Sequence, residues 1–173
     1  EPMFDTGSSG LVVRMFYAAW TRMPFYNDSM IGGSGAYALS REGRARFDAF
    51  PELISDDGFV RLHFQANERR RVPGARSRVR CPVGVGDLTR MMTRIRAGAM
   101  ELRGRHRELS DAEETTVGDR LAAVIRNLHL LPCFVVYAGL RLVTMGRAKA
   151  LLKARVDDKQ VWPRDESTRV RER

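Results

Sequence analysis

Two adjacent carboxylates, Asp56 and Asp57, follow Ser55 and precede Gly58. A carboxylate can act as a general base, taking the proton of a hydroxyl group while the oxygen attacks an electrophilic carbon. A serine followed by two acids is also typical of the first turn of a helix. At a helix start the dipole would keep the carboxylate ionised, so positioning would be its main contribution. The spacing alone leaves both roles open.

A glycine-rich run stands upstream of this pair, with three glycines in the four positions 32–35. Because glycine has no side chain, such a run lets the backbone approach a ligand closely and present its N–H groups. Gly33, Ser34 and Gly35 are therefore candidate ligand-contacting residues. The spacing is not that of a dinucleotide-binding fingerprint, and a plain tight turn would explain the glycines as well.

Arginines downstream of the acidic pair could bind phosphate. Arg94 and Arg96 lie in a stretch of helical periodicity, with Arg90 one turn before Arg94. A planar guanidinium group binds phosphate oxygens in a bidentate manner and can stabilise a departing diphosphate. In a chain so rich in arginine, the same residues are also explained as the solvated face of a helix.

The elements that would position these residues are mostly short helices. Apolar spacing, capping residues and glycines predict this series along the chain: a helix over 8–22, a loop and buried strand over 30–39, a short helix over 40–47, a helix from 55, a β-hairpin over 69–82 and a helix from 87. The last helix would bury Leu88, Met92, Ile95 and Leu102.

Residues 121–151 are mostly apolar, with an uninterrupted centre of 11 residues at 130–140. A spanning helix needs roughly 20 apolar residues. One interpretation is a buried core helix. Another is a helix lying in the membrane interface, which would insert Leu130, Leu131, Phe134 and Val135 and keep Tyr137, Arg141, Arg147, Lys149 and Lys153 at headgroup level. A full crossing is disfavoured because Pro132 would interrupt the run and Arg141 would enter the hydrocarbon.

The charge of the chain is strongly positive, with 30 Lys and Arg against 21 Asp and Glu and a net charge of +9 over 173 residues. A basic surface favours phosphate-rich partners such as nucleotides or anionic lipid. Nucleic acid is disfavoured, because the arginines are not clustered with stacking aromatics. Two cysteines, Cys81 and Cys133, form neither a disulfide framework nor a metal-ligand pattern. A reducing compartment is the simplest interpretation.

Four segments in order carry a resemblance to a known family: 30–39, 40–44, Phe50-Pro51-Glu52 and 55–61. Their order resembles the second half of the catalytic domain of family-2 glycosyltransferases. In that family a glycine-rich segment leads into a buried strand, a short helix and a Phe-Pro turn, and an acidic pair then opens the next helix. Residues 94–102 are similar to the basic helix that follows, without the Gln-x-x-Arg-Trp motif of processive members. Residues 162–169 are similar to a tail found in one bacterial branch.

The resemblance implies an α/β fold: the second half of a Rossmann-like GT-A glycosyltransferase domain over residues 1–103, followed by a helical C-terminal extension over 104–173. It implies transfer of a sugar from a nucleotide-activated donor to an unidentified acceptor. Asp57 would be the general base with Asp56 as its partner, and Gly33, Ser34 and Gly35 would line the acceptor pocket. Arg94 and Arg96 would bind the diphosphate.

The family's metal-binding Asp-x-Asp motif has no counterpart here, since Asp5 stands alone. A divalent cation, Mg²⁺ or Mn²⁺, is therefore expected in the intact enzyme with ligands outside this chain, and the chain alone is expected to be inactive. The expected location is cytoplasmic, at the cytoplasmic face of a membrane, where a lipid-linked acceptor is one option. The alternative function is a non-catalytic basic module that binds anionic lipid or nucleic acid.

Overall fold

The computed structural model describes residues 2–24, residues 37–107 apart from 71 and 73, and residues 116–157. We number the elements in chain order. They are β1 (Pro2–Asp5), α1 (Leu11–Trp20), α2 (Arg41–Arg44), α3 (Asp56–Leu62), a 3₁₀ turn (Ala66–Glu68), β2 (Ser77–Arg80), α4 (Val85–Arg105), α5 (Val117–Arg126), a second 3₁₀ turn (Leu128–Leu130) and α6 (Leu131–Asp157).

The two described strands pair in parallel, from Pro2 opposite Ser77 to Asp5 opposite Arg80. The predicted β-hairpin over 69–82 is therefore wrong, although the turn within it is present and Gly74 has a φ of +78°. The described residues of the first arm, Arg69, Arg70 and Val72, form no strand, and the Arg69 side chain reaches back to the end of α3. Its guanidinium group donates to the carbonyl oxygens of Arg61 and Phe64.

Capping residues define several helix starts. Ser40 Oγ accepts from the N–H of Gly43 at 3.0 Å, as expected for the predicted short helix. Thr116 and Asp119 form a reciprocal capping box at the start of α5. Helix α4 begins at Val85, slightly before the predicted start at Asp87. The predicted strand over 30–39 falls mostly on residues outside those described, and Tyr37–Leu39 form no strand.

A first hydrophobic core joins α1, α4 and α6. Its buried residues are Val13, Phe16, Tyr17, Cys81, Leu88 and Met92, and Val136, Tyr137 and Leu140 of α6 pack against them. On α1 the exposed side carries Leu11 and Val12. On α4 the predicted core position Ile95 is 44% exposed.

A second core lies beneath α3. It contains Phe47, Phe59, Val60 and Leu102, so the C-terminal half of α4 supports the helix that begins with the acidic pair. The ring of His63 packs on the ring of Phe59 in a tilted arrangement, with ring centres 4.4 Å apart. Helix α4 thus packs against α6 in the first core and against α3 in the second, and so sets the position of α3 relative to α6.

Helix α6 extends well beyond the apolar run 130–140, which forms its N-terminal part. Pro132 does not interrupt it, because Pro132 is the second residue of the helix, where a backbone N–H has no helical partner to lose. The segment Leu128–Ala154 is long and apolar enough, by length and composition, to cross a membrane, with a mean hydropathy of 1.6. Only 11% of that apolar window is buried in the protein.

The prediction of which α6 residues would insert into a membrane needs correction. Phe134 is 5% exposed and packs with Ala19 and Met23, so it belongs to the protein core. Tyr137 packs on Phe16 with ring centres 5.6 Å apart. The residues that the protein leaves uncovered include Leu131 and Val135.

In its described part the chain is mostly helical and its sheet has two parallel strands. This architecture neither confirms nor contradicts the second half of a Rossmann-like domain, so the α/β fold class stays a prediction. The proposed boundary between 103 and 104 also stays a prediction. Helix α6, from the C-terminal segment, shares its core with α1 and α4.

Candidate active site

The acidic pair lies at the start of α3, where one oxygen of Asp57 is held firmly. Asp57 Oδ1 accepts from the hydroxyl of Ser55 at 2.9 Å and from the N–H of Gly58 at 2.7 Å. Asp56 Oδ1 accepts from the N–H of Asp57 at 2.9 Å. Asp57 Oδ2 accepts no hydrogen bond from any residue that the structure describes. One carboxylate oxygen is thus fixed, and the other is available to a substrate.

Helix α4 positions this helix start by close packing. A Cβ atom at Gly98 would lie 3.0 Å from Ile54 Cγ2 and 3.1 Å from Ser55 Cβ, so the absence of a side chain allows the approach. Glu101 Oε2 accepts from the N–H of Ile54 at 3.1 Å. The same carboxylate forms an ion pair with Arg105 at 3.2 Å, and the Glu101 side chain is almost fully buried. The segment before the acidic pair is therefore bonded as well as packed to α4.

Tyr37 is a further candidate residue. Partial burial raises the pKa of its phenol, and the carboxylates of Asp56 and Asp57 add to that shift. The phenol therefore lies in the electrostatic field of the acidic pair. Sequence reasoning missed Tyr37. The available signal was its place two residues after Gly35, which would bring a polar aromatic group to the same site as the glycine-rich run.

Gly33, Ser34 and Gly35, the predicted acceptor-binding residues, lie outside the described residues. Their part in the site stays a prediction.

Arg94 lies on the same side of α4 as Gly98. It precedes Gly98 by four positions, which places the two residues on one helix face a single turn apart. Gly98 is the position at which Ser55 touches α4. The Arg94 side chain is exposed. The predicted role of Arg94 in binding diphosphate stays a prediction.

Arg96 lies on a different side of α4 and faces α6. Its Nε donates to Thr144 Oγ1 at 2.7 Å, and Thr144 is fully buried. Burial lowers the pKa of Arg96, the nearby charge of Arg141 lowers it further, and Tyr137 opposes the shift. The structure therefore does not bring Arg96 together with Arg94 at the acidic pair.

Within the described ranges, no three His, Cys, Asp or Glu side chains come close enough to hold a metal ion. Asp5 has local partners. Its Oδ1 accepts from the N–H of Gly7 at 3.0 Å, and its Oδ2 pairs with Arg78 at 2.7 Å. These two interactions hold the pKa of Asp5 below its ordinary value. We therefore assign no step of the chemistry to a metal held by the residues described.

The chain matches no protein-family model, no curated protein and no solved structure. The resemblance to family-2 glycosyltransferases therefore rests on the sequence segments alone.

Proposed function

We propose that this chain is the acceptor-side part of a glycosyltransferase that uses a nucleotide-activated sugar, with Asp57 as the general base. The observation that carries the proposal is the arrangement of Asp57. One oxygen is fixed by Ser55 and Gly58, and the other makes no hydrogen bond within the described part of the chain. A catalytic base must be oriented and still able to receive a proton.

The transfer step uses Asp57 as follows. The acceptor hydroxyl gives its proton to Asp57 Oδ2 while its oxygen bonds to the anomeric carbon of the donor sugar. The bond from that carbon to the diphosphate oxygen breaks, its electron pair stays on that oxygen, and the nucleoside diphosphate leaves. Positioning supplies much of the acceleration, because a hydroxyl held against both the carboxylate and the carbon reacts as an intramolecular group.

Tyr37 and Asp56 have supporting roles in the proposal. The charges of both carboxylates act on Tyr37, and we assign its hydroxyl a hydrogen bond to the acceptor. Asp56 orients the helix start through the N–H of Asp57 and is exposed enough to contact sugar hydroxyls.

Arg94 is the group we assign to the departing diphosphate, because it is exposed on the face of α4 that carries Gly98. A guanidinium group at that point would stabilise the negative charge that builds up on the leaving oxygen. Arg96 is not part of this proposal, since its Nε is bonded to Thr144 at the junction with α6.

The experiment is a donor screen with the full-length protein. Purified protein is mixed with a panel of nucleotide sugars, Mg²⁺ or Mn²⁺ and a mixture of hydroxyl acceptors, and the released nucleoside diphosphate is quantified. We expect release from one class of donor that rises with acceptor concentration. Heat-denatured protein is the control. Absence of release from every donor, with protein that is folded by circular dichroism, would contradict the proposal.

A further inference from the structure

Helix α6 leaves one long face uncovered. Leu131, Val135, Ala138 and Leu142 follow one another at spacings of three and four residues, so they lie on one side of the helix. All four are exposed, with Val135 at 66% and Leu142 at 72%. We call this set the outer face of α6, and it extends for about 17 Å along the helix axis. Val143, the residue after Leu142, is also exposed.

The opposite side of α6 is fully used by the protein. Thr144 and Ala148 are buried there, Tyr137 packs on α1, and Phe134 is buried at the edge of the outer face. The outer face is therefore not needed for the packing of α6 on the protein. It is a continuous apolar surface, and surfaces of that kind mark binding to a protein or to a membrane.

Charge distinguishes between these two kinds of partner. Lys149 and Lys153 continue the line of Leu142 along α6 at spacings of seven and eleven residues, and both are exposed. The apolar stripe thus passes into a basic stripe on the same side of the helix. An anionic bilayer offers both complements, hydrocarbon just below a layer of negative headgroups, and lysine stems can lie over apolar surface while their amines reach phosphate.

A second apolar row leads into this face. Val117, Leu121, Ile125 and Leu128 recur at three- and four-residue spacings along α5 and the 3₁₀ turn, and each is at least half exposed. Two successive elements therefore expose leucine, isoleucine and valine side chains.

The packing of α4 on α6 decides how α6 meets the bilayer. Arg96 of α4 is bonded to Thr144 near the middle of α6. Helix α4 also exposes Arg90, Arg94 and Arg103, and a helix carrying them could not follow α6 into hydrocarbon without a large penalty. We propose that α6 lies along an anionic lipid surface, with its outer face at the boundary of headgroups and acyl chains and with α1 and α4 on the water side.

This proposal does not depend on sugar transfer, and its test measures lipid binding only. The full-length protein is floated with phosphatidylcholine vesicles that contain either no phosphatidylglycerol or about one third of it, a range over which anionic charge controls interfacial binding. Wild-type protein is expected to float with the anionic vesicles, and less so as salt is raised.

Two matched variants locate the contact. Leu142→Glu places a charge on the outer face, and we expect the vesicle partition coefficient to fall about tenfold or more. Val72→Glu makes the same kind of change at a loop residue of similar exposure, 68%, and should bind as the wild type does. The double variant Lys149→Gln, Lys153→Gln should lose the dependence on phosphatidylglycerol.

Circular dichroism melting checks that each variant is folded, and Val135→Glu repeats the test if Leu142→Glu does not fold. The proposal is overturned if the wild type floats with neither vesicle, or if Leu142→Glu and Val72→Glu bind equally. It is also overturned if Leu142→Glu only converts a dimer to a monomer, since the face would then join two copies of the chain. Protein that binds vesicles but transfers no sugar would contradict the proposed function and leave this inference intact.

Discussion

Asp57 illustrates how a residue typical of a helix start can also be suited to chemistry. Its Oδ1 accepts two hydrogen bonds within the first turn, which is the ordinary role of an acid there. Those same bonds fix the direction of Oδ2. The two interpretations of the sequence are therefore compatible, because the hydrogen bonds of this helix start orient the carboxylate that we propose as the base.

Glu68 gives a pH-dependent prediction at the residue scale. Its ion pair with Arg46 and the N–H of Gln65 lower the pKa of Glu68 from 4.5 to about 2. A folded-state pKa below the ordinary value means that the stabilisation is present above pH 4.5 and is lost as the pH falls from 4.5 toward about 2. Glu68→Gln should therefore be less stable than the wild type at neutral pH and should approach it on acidification.

Urea denaturation at a series of pH values measures this difference. Glu52→Gln, a change at an exposed glutamate with no ion pair in the described ranges, is the control. A gap between wild type and Glu68→Gln that stays constant across the acidic range would show that the ion pair does not supply the stability.

At the scale of elements, the contact between α4 and the segment before α3 depends on Gly98. Gly98→Ala would place a Cβ atom 3.0–3.1 Å from Ile54 and Ser55, so that segment would have to move. Alanine in a helix interior gains about 0.5–1 kcal/mol over glycine. We expect the crowding to cancel that gain or exceed it, leaving Gly98→Ala no more stable than the wild type.

Gly139→Ala is the matched control, because Gly139 also lies inside a helix and a Cβ atom there would meet no described atom within 4 Å. It should raise the free energy of unfolding by about 0.5–1 kcal/mol. Chemical denaturation of both variants provides the comparison. Equal stabilisation by the two alanines would show that Ser55 is not held tightly against α4.

Elements with local signals were predictable from the sequence. Ser40 and Ser55 marked the starts of α2 and α3, and the apolar spacing around Leu88 and Met92 marked α4. The pairing of β1 with β2 could not be predicted, because the strands are far apart in the chain and parallel pairing leaves no turn signature between them. The hairpin prediction failed for that reason.

Which residues of α6 face the protein and which face outward could also not be predicted from the sequence. Phe134 and Val135 are adjacent and both apolar, yet Phe134 is buried against α1 and Val135 faces outward. In a helix with few charges, periodicity cannot choose which apolar residues meet the protein, since nearly every direction is apolar. Tyr37 was missed for a related reason, because its proximity to Asp57 arises from tertiary packing alone.

At the scale of the whole molecule, α4 connects two regions with different proposed roles. One side of it carries Gly98, which packs against the segment before the acidic pair, and another carries Arg96 against α6. A lipid surface at the outer face of α6 would therefore lie at a fixed position relative to Asp57. This arrangement would suit an acceptor that is presented at a membrane, as the sequence also led us to expect.

The most direct test of the central claim is Asp57→Asn in the full-length protein. The amide keeps the size of the side chain and can still accept from Ser55, but it cannot take a proton, so kcat should fall about 100-fold or more while donor binding changes little. Asp48→Asn, at an exposed acid outside the site, should transfer sugar as the wild type does. Transfer by folded Asp57→Asn within a few-fold of the wild type would contradict the claim and make Asp57 a helix-start residue only.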